Sequence, residues 1–440
     1  MLVNKAQPRQ VVFLFVLVYL GAFSALASAA DWMRFRGPNG SGIAAESTLP
    51  ISWSETENLK WQVPLPGPGS SSPIIVGERI FVTCYTGYGI DADDPGVIAD
   101  LTRHLLCIDA TTGETQWQRS VSVVLPEDPY SGFITEHGYA SSTPVSDGQQ
   151  IFAFFGKSGV VAYDLQGNEL WQTSVGTESG TQHWGSAASP ILFGDLVIVN
   201  ASEEGEAVVA LNKVDGKEVW RAEAEGFASL WGTPIIAKLP EGEELVIAVP
   251  GEVWGMNLAT GKLRWHAMVS EARNLCSSPV IAGDVVYVVG GRDGGSAAVR
   301  IGGKGDVTDS HTLWNNRQRG KITSPIVHQG HLYWYAGGIL SCAVAETGEL
   351  VYRERLSSSG AADRDGVRGM DYASPVLVDG KLYVPDRRGN LYVVAAQPEF
   401  ELLATNSFES DPSDFNATPA VGDGFLVIRS NQSLYCISAQ

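Results

Sequence analysis

Once its first thirty residues are set aside, the chain has no apolar run at helical spacing over about 10–15 positions, which excludes helical bundles and helical solenoids. Basic residues are scarce. Lys and Arg number 30 against 49 Asp and Glu, for a net charge of −19, and loss of Lys5 and Arg9 with the leader makes it −21. A surface of that sign stays soluble and repels phosphate backbones and anionic lipid, so nucleic acid is excluded as a partner. Cysteines number five, no two of them adjacent, and Cys-x-x-Cys-His is absent, which excludes a covalently held c-type haem. Gly-x-Ser-x-Gly and His-Glu-x-x-His are missing as well.

What the chain has is repetition. Ser189-Pro190 opens an apolar run that turns at Gly194-Asp195 and continues through Leu196 to Val199. There follow an acidic hairpin tip (Glu203, Glu204, Gly205), a third run from Ala207 to Leu211, a turn at Asp215-Gly216, and a last run carrying Trp220. Short β-branched runs punctuated by Gly and Asp read as four strands. The Ser/Thr-Pro opening recurs at Ser72, Thr143, Ser189, Thr233, Ser278, Ser324, Ser374 and Thr418, at intervals of 44–50 residues apart from one of 71. The long interval holds insertions at 86–103 and 123–139. Four strands per period of about 45 residues is the blade of a β-propeller.

The closing element recurs as Trp117, Trp171, Trp220, Trp265 and Trp314, then Tyr352. About ten residues before it stands a small residue (Cys107, Ala162, Ala210, Gly255, Cys342), leaving a gap for the indole. By this count Arg300 and Val393 break the rule, so blades 5 and 7 should pack differently. The eighth unit stops after its third strand, while an unclaimed strand at residues 59–63 precedes the first opening. That strand should complete the last blade and leave no ring-wide open edge. The expected fold is all-β: an eight-bladed propeller of four-stranded antiparallel blades, closed by residues 59–63.

Taken in order, residues 1–30 read as a secretory signal, with a basic start, an apolar run from Val11 to Leu20 and a small-residue site at Ala27-Ser28-Ala29-Ala30. An uncleaved anchor is the rival, since residues 11–30 are just long enough to span. No cysteine follows the site, which argues against a lipid anchor. Residues 31–58 form an arm whose aromatics, Trp32, Phe35 and Trp53, should pack on the ring near its closure; residues 59–440 are the ring. Cys107, Cys342 and Cys436 occupy the small-residue position and read as packing; a Cys84–Cys107 bond within blade 1 stays open. Gly156-Lys157-Ser158 imitates the end of a phosphate loop but falls between two strands, hence a hairpin turn. Asp91-Ala92-Asp93-Asp94-Pro95-Gly96 begins like a calcium loop, yet Pro95 and Thr102 fall where ligands are needed, so it reads as a solvated insertion. Asn200, Asn416 and Asn431 lie in glycosylation sequons.

The stretch Cys107-Ile108-Asp109-Ala110-Thr111-Thr112-Gly113-Glu114-Thr115-Gln116-Trp117 resembles the tryptophan-docking motif of the PQQ-like repeat family, and Gly255 to Gly261 followed by Trp265 matches nearly as well. The family includes quinoprotein alcohol dehydrogenases and the outer-membrane assembly propeller BamB. The resemblance covers the ring and speaks for fold; the motif is structural and says little of function. Its dehydrogenases stack the quinone between a Trp and a disulfide of adjacent cysteines and bind Ca²⁺ through Glu, Asn and Asp. This chain lacks the cysteine pair, so no cofactor is expected, PQQ with Ca²⁺ being the alternative.

In a propeller, the segment crossing from one outer strand to the next inner strand runs over one face towards the central channel. These segments should gather His137, Tyr139, His183, Trp184 and Trp231 with Asn274, Lys321, Asp371, Tyr372 and Asn416 around one funnel. Few polar groups among aromatic walls suit a ligand, although converging inner strands also need Asn, Asp and His to satisfy backbone groups. His137 with His183 could hold a metal only with a third ligand that the sequence does not supply. No catalytic residue is assigned. Three readings follow: an exported, non-catalytic, monomeric ring, periplasmic or extracellular, that binds an envelope protein or other partner; a PQQ- or metal-dependent oxidoreductase; and a propeller that binds carbohydrate or another small molecule through Trp184, Trp231 and Tyr372.

Overall fold

The computed structural model describes residues 31–44, 47–269, 276–291, 294–356 and 370–439. The expected leader and Asn274 lie outside these. Eight sheets form the propeller, seven of four strands and one of five. Blade 3 is representative: Ile191–Phe193, Leu196–Ala201, Ala207–Asn212 and Glu218–Glu223 pair antiparallel in sequence order. The two middle strands carry continuous buried runs, and in the outer strand Trp220 alone is buried. Strands covered on both faces must be apolar throughout, whereas a rim strand buries one face only.

Blade 8 is built from distant parts of the chain. Ala420–Val421, Phe425–Arg429 and Ser433–Ser438 are completed by Leu59–Pro64, with Trp61 opposite Cys436 and Val63 opposite Leu434. The closure expected from the sequence is present.

Two circular systems bind the blades together. At the rim, the small residue does lie directly across from the aromatic one: Cys107 from Trp117, Ala162 from Trp171, Ala210 from Trp220 and Cys342 from Tyr352. The indole N–H then reaches the next blade: Trp61 donates to Ala110 O, Trp117 to Leu165 O, Trp171 to Lys213 O, Trp220 to Leu258 O and Trp314 to Ala345 O, at 2.8–3.1 Å. The ring itself lies on the turn glycine of that blade. Gly216 (φ +69) shows why glycine is needed, since a Cβ there would come within 2.5 Å of Trp171.

Nearer the axis, the Ser/Thr of the eight openings form a closed crown. The Ser72 N–H donates to Thr143 Oγ1, Thr143 to Ser189, Ser189 to Thr233, and so on through Ser278, Ser324, Ser374 and Thr418, whose N–H returns to Ser72 Oγ; all eight bonds measure 2.9–3.1 Å. A hydroxyl at each opening is therefore an inter-blade acceptor, and the proline behind it needs no donor of its own.

Two expectations are corrected and one is met. The residue facing Trp314 is Ala298, not Arg300. Blade 5 thus keeps the small-residue rule, and the count failed because its connection is longer, carrying Gly305–Asp306, which pairs parallel with Trp265 and His266 on the edge of blade 4. Blade 7 does differ: Val393 faces Ala404, with the sizes reversed. The arm does not confine itself to the closure. Trp32 bridges to Ile75 in blade 1, Met33 O accepts from Ser146 in blade 2, Arg36 reaches Pro325 O in blade 6, and Ile43 bridges to Leu377 in blade 7. It crosses the channel, and Trp53 then joins the core of blades 7 and 8.

All five cysteines are free. Cys107 lies across from Phe81 and Cys84 across from His104, so the two thiols point to opposite faces of blade 1 and no bond joins them. The acidic loop at Asp91–Asp94 is exposed, and Gly156–Ser158 is a tight turn between strands, as read from the sequence. Two of the sequon asparagines, Asn200 and Asn416, are buried.

Candidate functional site

The crossing segments, the crown and the arm enclose a cavity of about 130 Å³ on the propeller axis. Crossing segments precede each crown residue and the arm pairs with residues after it, so the cavity is capped on one side by the former and on the other by Phe35 of the arm. His137, Trp184, Trp231, Lys321, Tyr372 and Asn416 line it. The funnel anticipated from spacing brings six of its ten candidates together.

Trp184 and Trp231 lie 4.8 Å apart at 32°, and Phe133 meets Trp184 edge-on at 4.3 Å. The Trp231 indole N–H donates to Gly185 O at 3.0 Å, which fixes its ring. His137 is buried. Its Nε2–H donates to Trp184 O at 2.9 Å and its Nδ1 pairs with the Ser141 hydroxyl at 2.6 Å, while burial pushes its pKa down to about 4. Both ring nitrogens are engaged within the protein, so its role is to brace the segment bearing Trp184. Asn416 donates from Nδ2 to Glu136 O at 2.8 Å, and its Oδ1 makes no bond among the described residues; the same holds for the Tyr372 hydroxyl. The Tyr372 ring lies under Arg387, 5.4 Å away, and Arg387 is in turn paired with Glu136 and Asp414.

The other candidates go elsewhere. Asp371 is buried behind Tyr372, accepting from the Gly338 N–H at 3.0 Å, and burial lifts its carboxyl to about 6. Tyr139 packs among the aromatic residues of the two insertions and donates to Asp128 O. His183, with its side chain 60% exposed, bonds through Nδ1 to Asp128 at 2.8 Å. It stands outside the cavity, so His137 and His183 do not share a ligand. Among the described residues no group of three His, Cys, Asp or Glu is placed to hold a metal ion.

Sequence reasoning missed Phe35, Phe133 and the crown as lining, and it did not show how the acidic tip folds. Ser202–Gly205 is a single helical turn folded under the crossing segment, with Glu203 and Glu204 buried. The Glu178 N–H donates to Glu204 O at 3.1 Å, and Ser186 bonds the Glu204 carboxyl. Burial, reinforced by Glu204 and Asp128, pushes Glu203 up to about 8; burial pushes Glu204 up to about 7 against the Ser186 bond. Nearby, Arg103 pairs with Glu127 at 2.5 Å and Lys157 with Asp128 at 3.4 Å. Cys276 also lines the cavity, but burial raises its thiol to about 12, so it is no nucleophile at neutral pH.

A family model described as outer membrane protein assembly factor BamB matches residues 43–187 and 103–348, more than half of the chain. The chain belongs to this PQQ-like propeller family, which also takes in quinoprotein propellers. Among curated relatives it is similar to the outer membrane protein assembly factor BamB of Escherichia coli (strain K12), 26% identical over 230 residues, covering 50% of this chain and 56% of the relative. It is also similar to a polyvinylalcohol dehydrogenase of Pseudomonas sp, 22% identical over 348 residues, covering 68% and 47%. The chain thus spans about half the length of the curated relatives it matches. Among solved structures, a europium-containing methanol dehydrogenase superposes with a TM-score of 0.65 at 11% identity, covering 93% of this chain and 98% of that one. BamB from Moraxella catarrhalis gives 0.56 at 13%, covering 89% and 99%. These two likenesses concern the fold.

The residues present do not fit a quinone slot of the dehydrogenase kind. Cys276 is the one cysteine in the lining, where a vicinal pair is needed.

Proposed function

We propose that this chain is an exported, non-catalytic scaffold of the cell envelope that holds another envelope protein, in the manner implied by the name of its assembly-factor relatives. The single observation that carries the reading is the match to the BamB family model over more than half of the chain. The donor set agrees with it: the lining thiol is held protonated and the stacking partner for a quinone is missing. No helix among the described residues is long and apolar enough to cross a membrane. Edge strands suit such work, since an outer strand with free backbone groups can take another strand beside it. Blade 4 already does this within the chain, its outer strand Leu263–Met268 accepting Gly305–Asp306.

Crosslinking in the native envelope followed by mass spectrometry tests the proposal. The expected product joins this chain to a component of outer-membrane assembly. Saturable binding of PQQ with Ca²⁺ to the purified protein, with dye-linked alcohol oxidation, would overturn it in favour of the dehydrogenase reading.

A further inference from the structure

The channel cavity is rich in hydrogen-bond donors, in a protein that is otherwise strongly acidic. Each of the eight crown hydroxyls accepts one backbone N–H and makes no other hydrogen bond among the described residues, so eight O–H groups remain able to donate into the cavity they line. The Tyr372 hydroxyl adds a ninth. Lys321 lines the same space and forms no salt bridge within 4.0 Å among the described residues, with the buried Asp371 carboxyl the nearest acidic group that feels its charge, and it is held at φ +56, a backbone region that costs a lysine about 1–2 kcal/mol and often marks function. Among the described side chains that line the cavity, the buried acceptor without a partner is Asn416 Oδ1, on a residue 5% exposed. The remaining wall is aromatic: Trp184, Trp231, Phe133 and Phe35.

We propose that the cavity binds a carboxylated sugar, a single uronate ring. Its ring oxygens and hydroxyls would accept from the crown, one hydroxyl would donate to Asn416, its C–H face would rest on the tryptophan wall, and its carboxylate would meet Lys321. An oxygen-rich anion matches a donor-rich site with one ammonium, and a neutral apolar ligand would leave those donors unpaired. This stands apart from the scaffold reading, because it concerns the axis of the ring and not its edge.

The test is titration calorimetry on the purified full chain, with tryptophan emission as a second signal. Galacturonate is expected to bind one to one with a Kd below about 1 mM, at least tenfold tighter than galactose and with no competition from inorganic phosphate. Lys321→Met should abolish the preference for galacturonate over galactose. Tyr372→Phe, which removes one oxygen and keeps the ring, should weaken both sugars severalfold at an unchanged melting temperature. A tetragalacturonide separates a free acid from the end of a polymer: binding of the monomer, of the chain end, or of both supports the proposal, and binding of neither overturns it. Equal affinity for galactose and galacturonate, or displacement by phosphate, overturns it too.

Discussion

The crown and the rim solve the same problem, joining eight similar blades, with different tolerance. The crown is complete at every one of its eight seams. The rim uses Trp on glycine at five seams and something else at three. At the seam from blade 4 to blade 5, Trp265 turns its indole N–H to Glu244 of its own blade, 2.7 Å away, and Gly305–Asp306 lies along the edge. Between blades 6 and 7, Tyr352 meets Phe400 edge-on at 5.6 Å. Between blades 7 and 8, Trp53 of the arm packs where the outer strand offers only Ala404. Inner strands converge on the axis, where buried N–H groups have no water to turn to, so every opening needs its hydroxyl. At the rim, wedge-shaped gaps accept any filler of suitable size.

If that contrast is right, the heaviest loss comes from emptying a regular rim seam. Trp220 is 8% exposed, faces Ala210, lies on Gly261 and donates to Leu258 O. Trp220→Ala should cost about 3–5 kcal/mol, read as a fall in the urea midpoint. A loss within 1 kcal/mol, on the same scale of core truncations, would mean that the rim is decoration. The crown should respond next. Thr233→Val keeps the shape but leaves the Ser189 N–H without its acceptor, at about 1–3 kcal/mol. A neutral Thr233→Val would erase the distinction between the two systems.

Much of this was legible in the sequence, for a physical reason: repetition exposes backbone needs. A proline that follows Ser or Thr eight times marks inner strands, and Trp with Gly at fixed spacing marks the seams, so blade number, closure and most of the funnel could be read. The role of the crown hydroxyls could not, because a hydrogen bond between residues about 45 positions apart has no local signature. Neither could the path of the arm, which has no repeat to align with and threads Phe35 into the channel. Arg300 was misplaced because spacing cannot see an inserted edge strand. Glu203 and Glu204 read only as an acidic hairpin tip; their burial comes from the crossing segment of the neighbouring unit, which no local signal announces.

That acidic tip belongs to neither system and offers a smaller test. The folded pKa of Glu203, about 8, lies above the unfolded carboxyl value near 4.3, so the native state keeps a proton that the unfolded chain releases. The resulting stability is fully present below the unfolded pKa and is lost as pH rises through about 8. Glu203→Gln carries its hydrogen permanently. It should therefore gain on the parent by about 1–2 kcal/mol between pH 5 and pH 8.5, visible as converging or crossing melting temperatures. Parallel curves would place the Glu203 carboxyl in water and restore the simpler hairpin.

The smallest effect bears on why an irregular seam persists. Tyr352 faces Cys342 as a tryptophan would, but its hydroxyl is buried without a partner. Blade 7 presents Phe400 where other blades present glycine, so a full indole has no seat and the pair divides the volume differently. If the rim asks only for volume, Tyr352→Phe removes an unsatisfied oxygen, keeps the edge-on ring contact, and changes stability by no more than about 1 kcal/mol, in the stabilising direction. Tyr352→Trp should destabilise in the same background, because Phe400 occupies the place of the glycine, and Phe400→Gly should relieve that loss in the double variant. A double-mutant cycle showing that rescue makes the seam a matched pair; additive losses would mean that Tyr352 and Phe400 are independent, and that the rim has no rule beyond its five regular seams.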